Sequence, residues 1–96
     1  MNLIDTHAHI YQEDFLADIE AIMSRAKENG VSKIYLPNVD VSSIKEVKDL
    51  VAKNSDLFIP MMGLHPCDVG DDFEDQLQVM ENWLNTRPFA AVGEIG

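Results

Sequence analysis

The chain has 96 residues, enough for one domain, and its 46% hydrophobic and 25% charged residues exclude a low-complexity or disordered class. A net charge of −10, from 17 acidic and 7 basic side chains, excludes a broad basic groove for duplex nucleic acid, because phosphate neutralisation needs clustered Lys and Arg. No apolar run approaches the roughly 20 residues of a membrane helix, one cysteine (Cys67) excludes an internal disulfide, and a strand beginning within three residues leaves no room for a signal peptide, so a cytoplasmic protein is expected.

The first expected element is a strand from Leu3 to Ile10. A helix follows from Asp14 to Asn29, with Phe15, Ile19, Ile22 and Ala26 as its apolar stripe and Gly30 as its stop. Val31 to Leu36 reads as the second strand. Ser43-Ile44-Lys45-Glu46 has the form of a capping box and opens a second helix, with Ile44, Val47, Leu50 and Val51 on its inner face. Leu57 to Leu64 reads as the third strand. A third helix runs from about Phe73 to Asn85, with Phe73, Leu77, Met80 and Leu84 on one face, and Pro88 stops it. Phe89 to Ile95 reads as a fourth strand. Pro37 and Pro60 lie near strand ends, and a proline cannot donate to a ladder, so the paired part of each strand should be short.

Strand and helix alternate throughout, which predicts βαβ units, a parallel sheet and right-handed crossovers. Four strands and three helices leave both sheet edges open, so residues 1–96 read as the first part of a larger domain. Alone, such a piece should self-associate through its open edges.

Ligands of parallel α/β folds bind at the carboxyl ends of strands. The chemistry-bearing residues gather there. His7 and His9 are two apart, so on a strand they share a face with Asp5. Two imidazoles from one strand can hold a divalent cation, and Asp5 can support them from behind. A His-x-His pair by itself also fits a solvated strand face. His65 closes the third strand and Glu94 the fourth, among apolar and glycine neighbours where a carboxylate is expensive unless paired or metal-bound. Two imidazoles and one carboxylate suit Zn²⁺, Mn²⁺ or Fe²⁺, with an acidified water as nucleophile. Glu94 could bridge two ions, and His65 could donate to a substrate oxygen. Hydrolysis of a phosphodiester, a phosphomonoester or an amide fits equally. Phosphate-binding glycine loops and a nucleophile-elbow serine are absent from the sequence. The acidic run Asp68, Asp71, Asp72, Glu74 and Asp75 lacks the spacing of a Ca²⁺ loop.

Asp5-Thr6-His7-Ala8-His9, Gly63-Leu64-His65-Pro66 and Ala91-Val92-Gly93-Glu94-Ile95-Gly96 together resemble the TatD family, metal-dependent deoxyribonucleases of the amidohydrolase-like superfamily. The resemblance spans the chain, and the second and third segments are its more specific parts. It implies a (β/α)8 TIM barrel, of which residues 1–96 would be an N-terminal half-barrel of four parallel strands and three helices. It also implies that His7, His9 and Glu94 are metal ligands, that Glu94 and His65 are catalytic, that His65 meets the substrate phosphate, and that Asp5 supports the metal ligands. The implied cofactors are divalent metal ions (Zn, Mg or Mn), two in a full-length enzyme. The implied partner is DNA, single-stranded or at its ends, with no membrane. The family's other ligands, two histidines and an aspartate from later strands, have no counterpart in this chain, whose histidines are His7, His9 and His65. Catalysis is therefore expected of a longer parent and not of residues 1–96 alone. The alternatives are another amidohydrolase-like hydrolysis (amide, lactone or phosphomonoester) and a non-catalytic half-barrel that self-associates.

Overall fold

The computed structural model describes residues 2–86 and 88–95. Strands β1 (Leu3–Asp5), β2 (Val31–Pro37) and β3 (Phe58–Met61) form one parallel sheet in the order β1-β2-β3. Helices α1 (Glu13–Leu16) and α2 (Ile19–Glu28) lie between β1 and β2, α3 (Ile44–Lys53) between β2 and β3, and α4 (Phe73–Thr86) after β3.

The sheet is held by one apolar layer. Ile34 and Leu36 alternate inward along β2 and pack with Phe58, with Val47 and Leu50 of α3, and with Ile19 of α2 and Tyr11. A second cluster joins Ile44, Met62, Leu64 and Met80. Gly30 stops α2 with a φ of 80°, a left-handed conformation open to glycine, and its carbonyl accepts from the Leu3 amide at 2.7 Å. The helix end is thereby tied to the start of β1.

The expected half-barrel of four parallel strands and three helices is not what forms. The described residues build an open, incomplete sheet of three parallel strands, with four helices. Two local causes account for the difference. The first is Pro60. The 89–95 segment does run beside β3: Ala90 N–H donates to the Pro60 carbonyl at 3.1 Å, Met62 N–H to Ala91 at 3.3 Å, and Gly93 N–H to Met62 at 2.8 Å. These bonds make a single parallel bridge, Met62 to Val92. The adjoining pair, Met61 with Ala91, would need Ala91 N–H on the Pro60 carbonyl, but Ala90 N–H takes that place, and beyond it Pro60 has no N–H to offer. The second cause is Asp18. The expected helix over 14–29 breaks into α1 and α2 around Ala17 and Asp18, with Asp18 as N-cap of α2 and its carbonyl accepting from Ile22 at 2.9 Å. The Asp18 side chain makes no capping hydrogen bond; the break lies in its backbone, at φ −110° and ψ 15°, outside the helical range.

Three smaller expectations also change. The capping box sits one turn earlier than Ser43–Glu46: Asp40 Oδ1 accepts from Ser43 N–H at 3.0 Å, and Ser43 Oγ accepts from Asp40 N–H at 3.1 Å, closing a 3-10 turn before α3. Strand β1 ends at Asp5, and the chain continues beside β2 through one bond, Ala8 N–H to Tyr35 carbonyl at 3.1 Å. On α4 the apolar face is buried only at Met80; Phe73, Leu77 and Leu84 are exposed. Among the described residues no element covers that face. No helix among them is long and apolar enough to cross a membrane.

Candidate metal centre

Four side chains converge past the carboxyl ends of the strands. His7 and His9 come from the segment after β1, His65 from the turn after β3, and Glu94 from the segment beside β3. The Nε2 atoms of His7 and His9 lie 3.1 Å apart. Glu94 Oε2 stands 3.3 Å from His9 Nε2 and 3.6 Å from His7 Nε2. Ligands about 2.0–2.1 Å from a central ion stand about 3.3 Å apart at the corners of a tetrahedron, so these three atoms span one triangular face of such a shell. Glu94 Oε2 is inaccessible to solvent and has no hydrogen-bond partner. A carboxylate oxygen with neither water nor a donor is costly, and a cation is what it lacks. His7, His9 and Glu94 are the group of three among the described residues whose ligand atoms are close enough to hold an ion.

His65 reaches the other oxygen of the same carboxylate, with Nε2 3.3 Å from Glu94 Oε1. Its ring is held from the far side, where Cys67 N–H donates to Nδ1 at 3.0 Å. A backbone amide can only donate, so Nδ1 carries the lone pair and a neutral His65 carries its proton on Nε2. That N–H points into the site. Pro66 favours the extended backbone of His65 (φ −63°, ψ 141°) and starts the 3-10 turn that presents the Cys67 amide. Asp68 Oδ2, 3.8 Å from Nδ1, adds negative charge nearby.

Asp5, expected to support the imidazoles, meets the main chain: its Oδ1 accepts from the His7 backbone amide at 3.1 Å. It fixes the main chain that carries the first imidazole.

Two positioning groups, Tyr11 and Asn38, had no place in the sequence reading, and a third, Gly63, entered it only as part of the Gly-Leu-His-Pro segment. Tyr11 is buried, with its hydroxyl 2.8 Å from His9 Nδ1 and donating to the Pro37 carbonyl at 2.8 Å. Its burial pushes its pKa well above the ordinary tyrosine value, with the Glu94 carboxylate adding to the rise. The available signal was its place two residues after His9. Asn38 is fully buried; its Oδ1 accepts from Gly63 N–H at 2.7 Å and its Nδ2 donates to the Asp40 carbonyl at 3.0 Å. Gly63 lies directly against the Glu94 backbone, where a Cβ would run into the Glu94 carbonyl. Backbone packing therefore sets the height of Glu94 beside the histidines. Gly96, the last residue of the Val-Gly-Glu-Ile-Gly segment, lies outside the described residues.

The TatD related DNase family profile matches residues 4–96. The chain is 36% identical over 95 residues to a protein of Escherichia coli (strain K12) named "Uncharacterized metal-dependent hydrolase YjjV", covering 97% of this chain and 36% of the relative. It is 30% identical over 94 residues to "Uncharacterized metal-dependent hydrolase YabD" of Bacillus subtilis (strain 168), covering 98% of this chain and 36% of that one. A crystal structure of YJJV, a TatD homologue from Escherichia coli K12, matches with a TM-score of 0.79 at 36% identity, over 98% of this chain and 37% of that chain. The chain thus spans about 36% of the length of these curated relatives. It belongs to the TatD related DNase family.

Proposed function

From this family membership, we propose that the chain contributes part of the metal centre of a hydrolase that cleaves phosphodiester bonds in DNA. The observation that carries the proposal is the meeting of His7, His9 and Glu94 within one coordination sphere, with an N–H of His65 beside them. His7 and His9 would hold a divalent ion through Nε2, and Glu94 through Oε2. Such an ion, when bound, supplies a Lewis acid for a phosphoryl oxygen and acidifies water toward neutral pH. The rest is the work of the chain's own groups. His65 Nε2 lies 3.3 Å from Glu94 Oε1, and its N–H would turn to a substrate phosphate oxygen when one arrives. Asp5 holds the main chain of His7, and the Cys67 amide keeps the His65 proton on Nε2. With a net charge of −10, positive charge at a phosphate must be local, which favours strand ends and single strands over a long duplex footprint.

A second ion, bridged by Glu94, would need ligands beyond these three. The relatives carry more than half of their length outside the stretch matched here. The activity proposed is that of a chain which includes such ligands.

The test is a nuclease assay on a protein that carries this stretch together with the length its relatives have. End-labelled single-stranded DNA is incubated with Mg²⁺, Mn²⁺ or Zn²⁺, with and without chelator, beside amide, lactone and phosphomonoester substrates. Chelator-sensitive shortening of DNA that is lost in Glu94→Gln is the expected result. Turnover of an amide or lactone without nuclease activity would replace the DNA reading with another hydrolysis at the same centre.

A further inference from the structure

The hydroxyl of Tyr11 stands between two groups that make different demands on it. The Pro37 carbonyl, at the end of β2, can only accept, and the Tyr11 proton is directed to it at 2.8 Å. His9 Nδ1 lies 2.8 Å away on the other side. With its proton on Pro37, the phenol oxygen offers His9 only a lone pair. The His9 contact is then a hydrogen bond only if Nδ1 carries hydrogen. A neutral imidazole has one N–H, so Nε2 is left with the lone pair, and Nε2 is the atom that faces His7 and Glu94. The reverse arrangement, with Tyr11 donating to Nδ1, would leave the Pro37 carbonyl without this donor in a place where Tyr11 is 1% exposed and water has little access. The aromatic ring packs into the main apolar cluster with Ile34, Leu36 and Phe58, so the hydroxyl cannot swing away.

We propose that Tyr11 is a positioning residue of the metal centre: it holds His9 in the Nδ1–H tautomer and so presents the Nε2 lone pair to a cation. The inference rests on the reading of His7, His9 and Glu94 as cation ligands. It assigns a task to a residue that touches neither the ion nor a substrate. His65 makes the contrast clear. There a backbone amide occupies Nδ1 as donor and forces the opposite tautomer. Two histidines that meet the same carboxylate are thus prepared for different work, one as a ligand and one as a hydrogen-bond donor.

The test begins with the metal-free protein at about pH 8, where histidine is neutral. A long-range ¹H–¹⁵N correlation spectrum reports which ring nitrogen is protonated. The expected result is Nδ1–H for His9 and Nε2–H for His65. Tyr11→Phe removes only the hydroxyl; in it His9 shifts toward the Nε2–H form common in free histidine, His65 does not change, and Zn²⁺ affinity by titration calorimetry falls about 10–100-fold. An Nε2–H His9 in the wild type would overturn the proposal, and that measurement needs no variant to fold. A Tyr11→Phe protein with an unchanged His9 tautomer and unchanged Zn²⁺ affinity would overturn it as well. If the wild type bound no cation at all, the hydrolase reading would fall, while the spectra would still decide whether Tyr11 sets the His9 tautomer.

Discussion

His9 Nε2 and Glu94 Oε2 stand 3.3 Å apart, brought together from opposite ends of the chain. Neither atom has a hydrogen on the line between them in the neutral Nδ1–H form of His9, so without a cation two electron-rich atoms face each other. The arrangement is complete only with positive charge between them.

Divalent cation should therefore stabilise the fold. Zn²⁺ at 100 times its dissociation constant adds about 2.7 kcal/mol, which for a chain of this size is on the order of 10 °C in melting temperature. Differential scanning calorimetry with and without chelator measures it. Glu94→Gln should lose the response, yet be at least as stable as the wild type without metal, since an amide N–H can donate to His9 Nε2. An undiminished zinc shift in Glu94→Gln would remove Glu94 from the ligand set.

Gly63→Ala should damage both stability and the site. The new methyl would meet the Glu94 carbonyl, which is backbone and cannot rotate aside. A cost of about 1–3 kcal/mol is expected in urea unfolding, together with weaker zinc binding because Glu94 is pushed out. Gly70→Ala is the control: its Cβ would meet only the Asp72 carboxylate at 3.3 Å. It should stay within about 0.5 kcal/mol of the wild type.

Asn38→Ala should destabilise the protein by about 1–3 kcal/mol, because it leaves the buried Gly63 N–H without its partner, whereas the Asp40 carbonyl keeps the Ser43 hydroxyl as a donor. The same substitution frees the Gly63 backbone that supports Glu94. Zinc titration should show a lower affinity even at temperatures where the variant remains folded. Wild-type affinity in a folded Asn38→Ala protein would show that Glu94 is positioned by other means.

Stability should fall on the alkaline side in a way traceable to Tyr11. Burial raises its pKa, Glu94, Asp40 and Asp68 raise it further, and the nearby Ser43 hydroxyl opposes them. The unfolded tyrosine releases its proton near pH 10, while the folded one retains it. Between these two pKa values the native state binds more protons, so unfolding free energy declines as pH rises. The stabilisation is complete below about pH 10 and is lost progressively as pH rises from there toward the raised folded value. Urea midpoints from pH 9 to 11.5 should drop more steeply for the wild type than for Tyr11→Phe. Parallel curves would contradict the buried, protonated phenol.

The sequence was sufficient for the family and for parallel strands alternating with helices, but not for the number of strands and helices. Periodicity at 44, 47, 50 and 51 located α3, and the two prolines warned of short pairing. His7, His9, His65 and Glu94 stood out because ionisable groups at strand ends of a parallel sheet have few structural uses. The count of strands was harder to read. Hydrophobic patterning at 89–95 is that of a strand, but a ladder needs donors on both sides, and Pro60 in the neighbouring strand withholds one. The split of the first helix at Asp18 likewise depended on local backbone competition that an apolar stripe does not reveal.

What the sequence by itself determined is the inventory: which side chains are candidates for holding a cation, and to which family the pattern belongs. What only the tertiary structure decided is how these groups are oriented. The tautomers of His9 and His65 follow from a phenol hydroxyl and a backbone amide, and the height of Glu94 follows from Gly63 and Asn38. Hydrogen bonds depend on distance and direction between groups far apart in the chain, and those exist only once the core has closed around Tyr11 and Asn38.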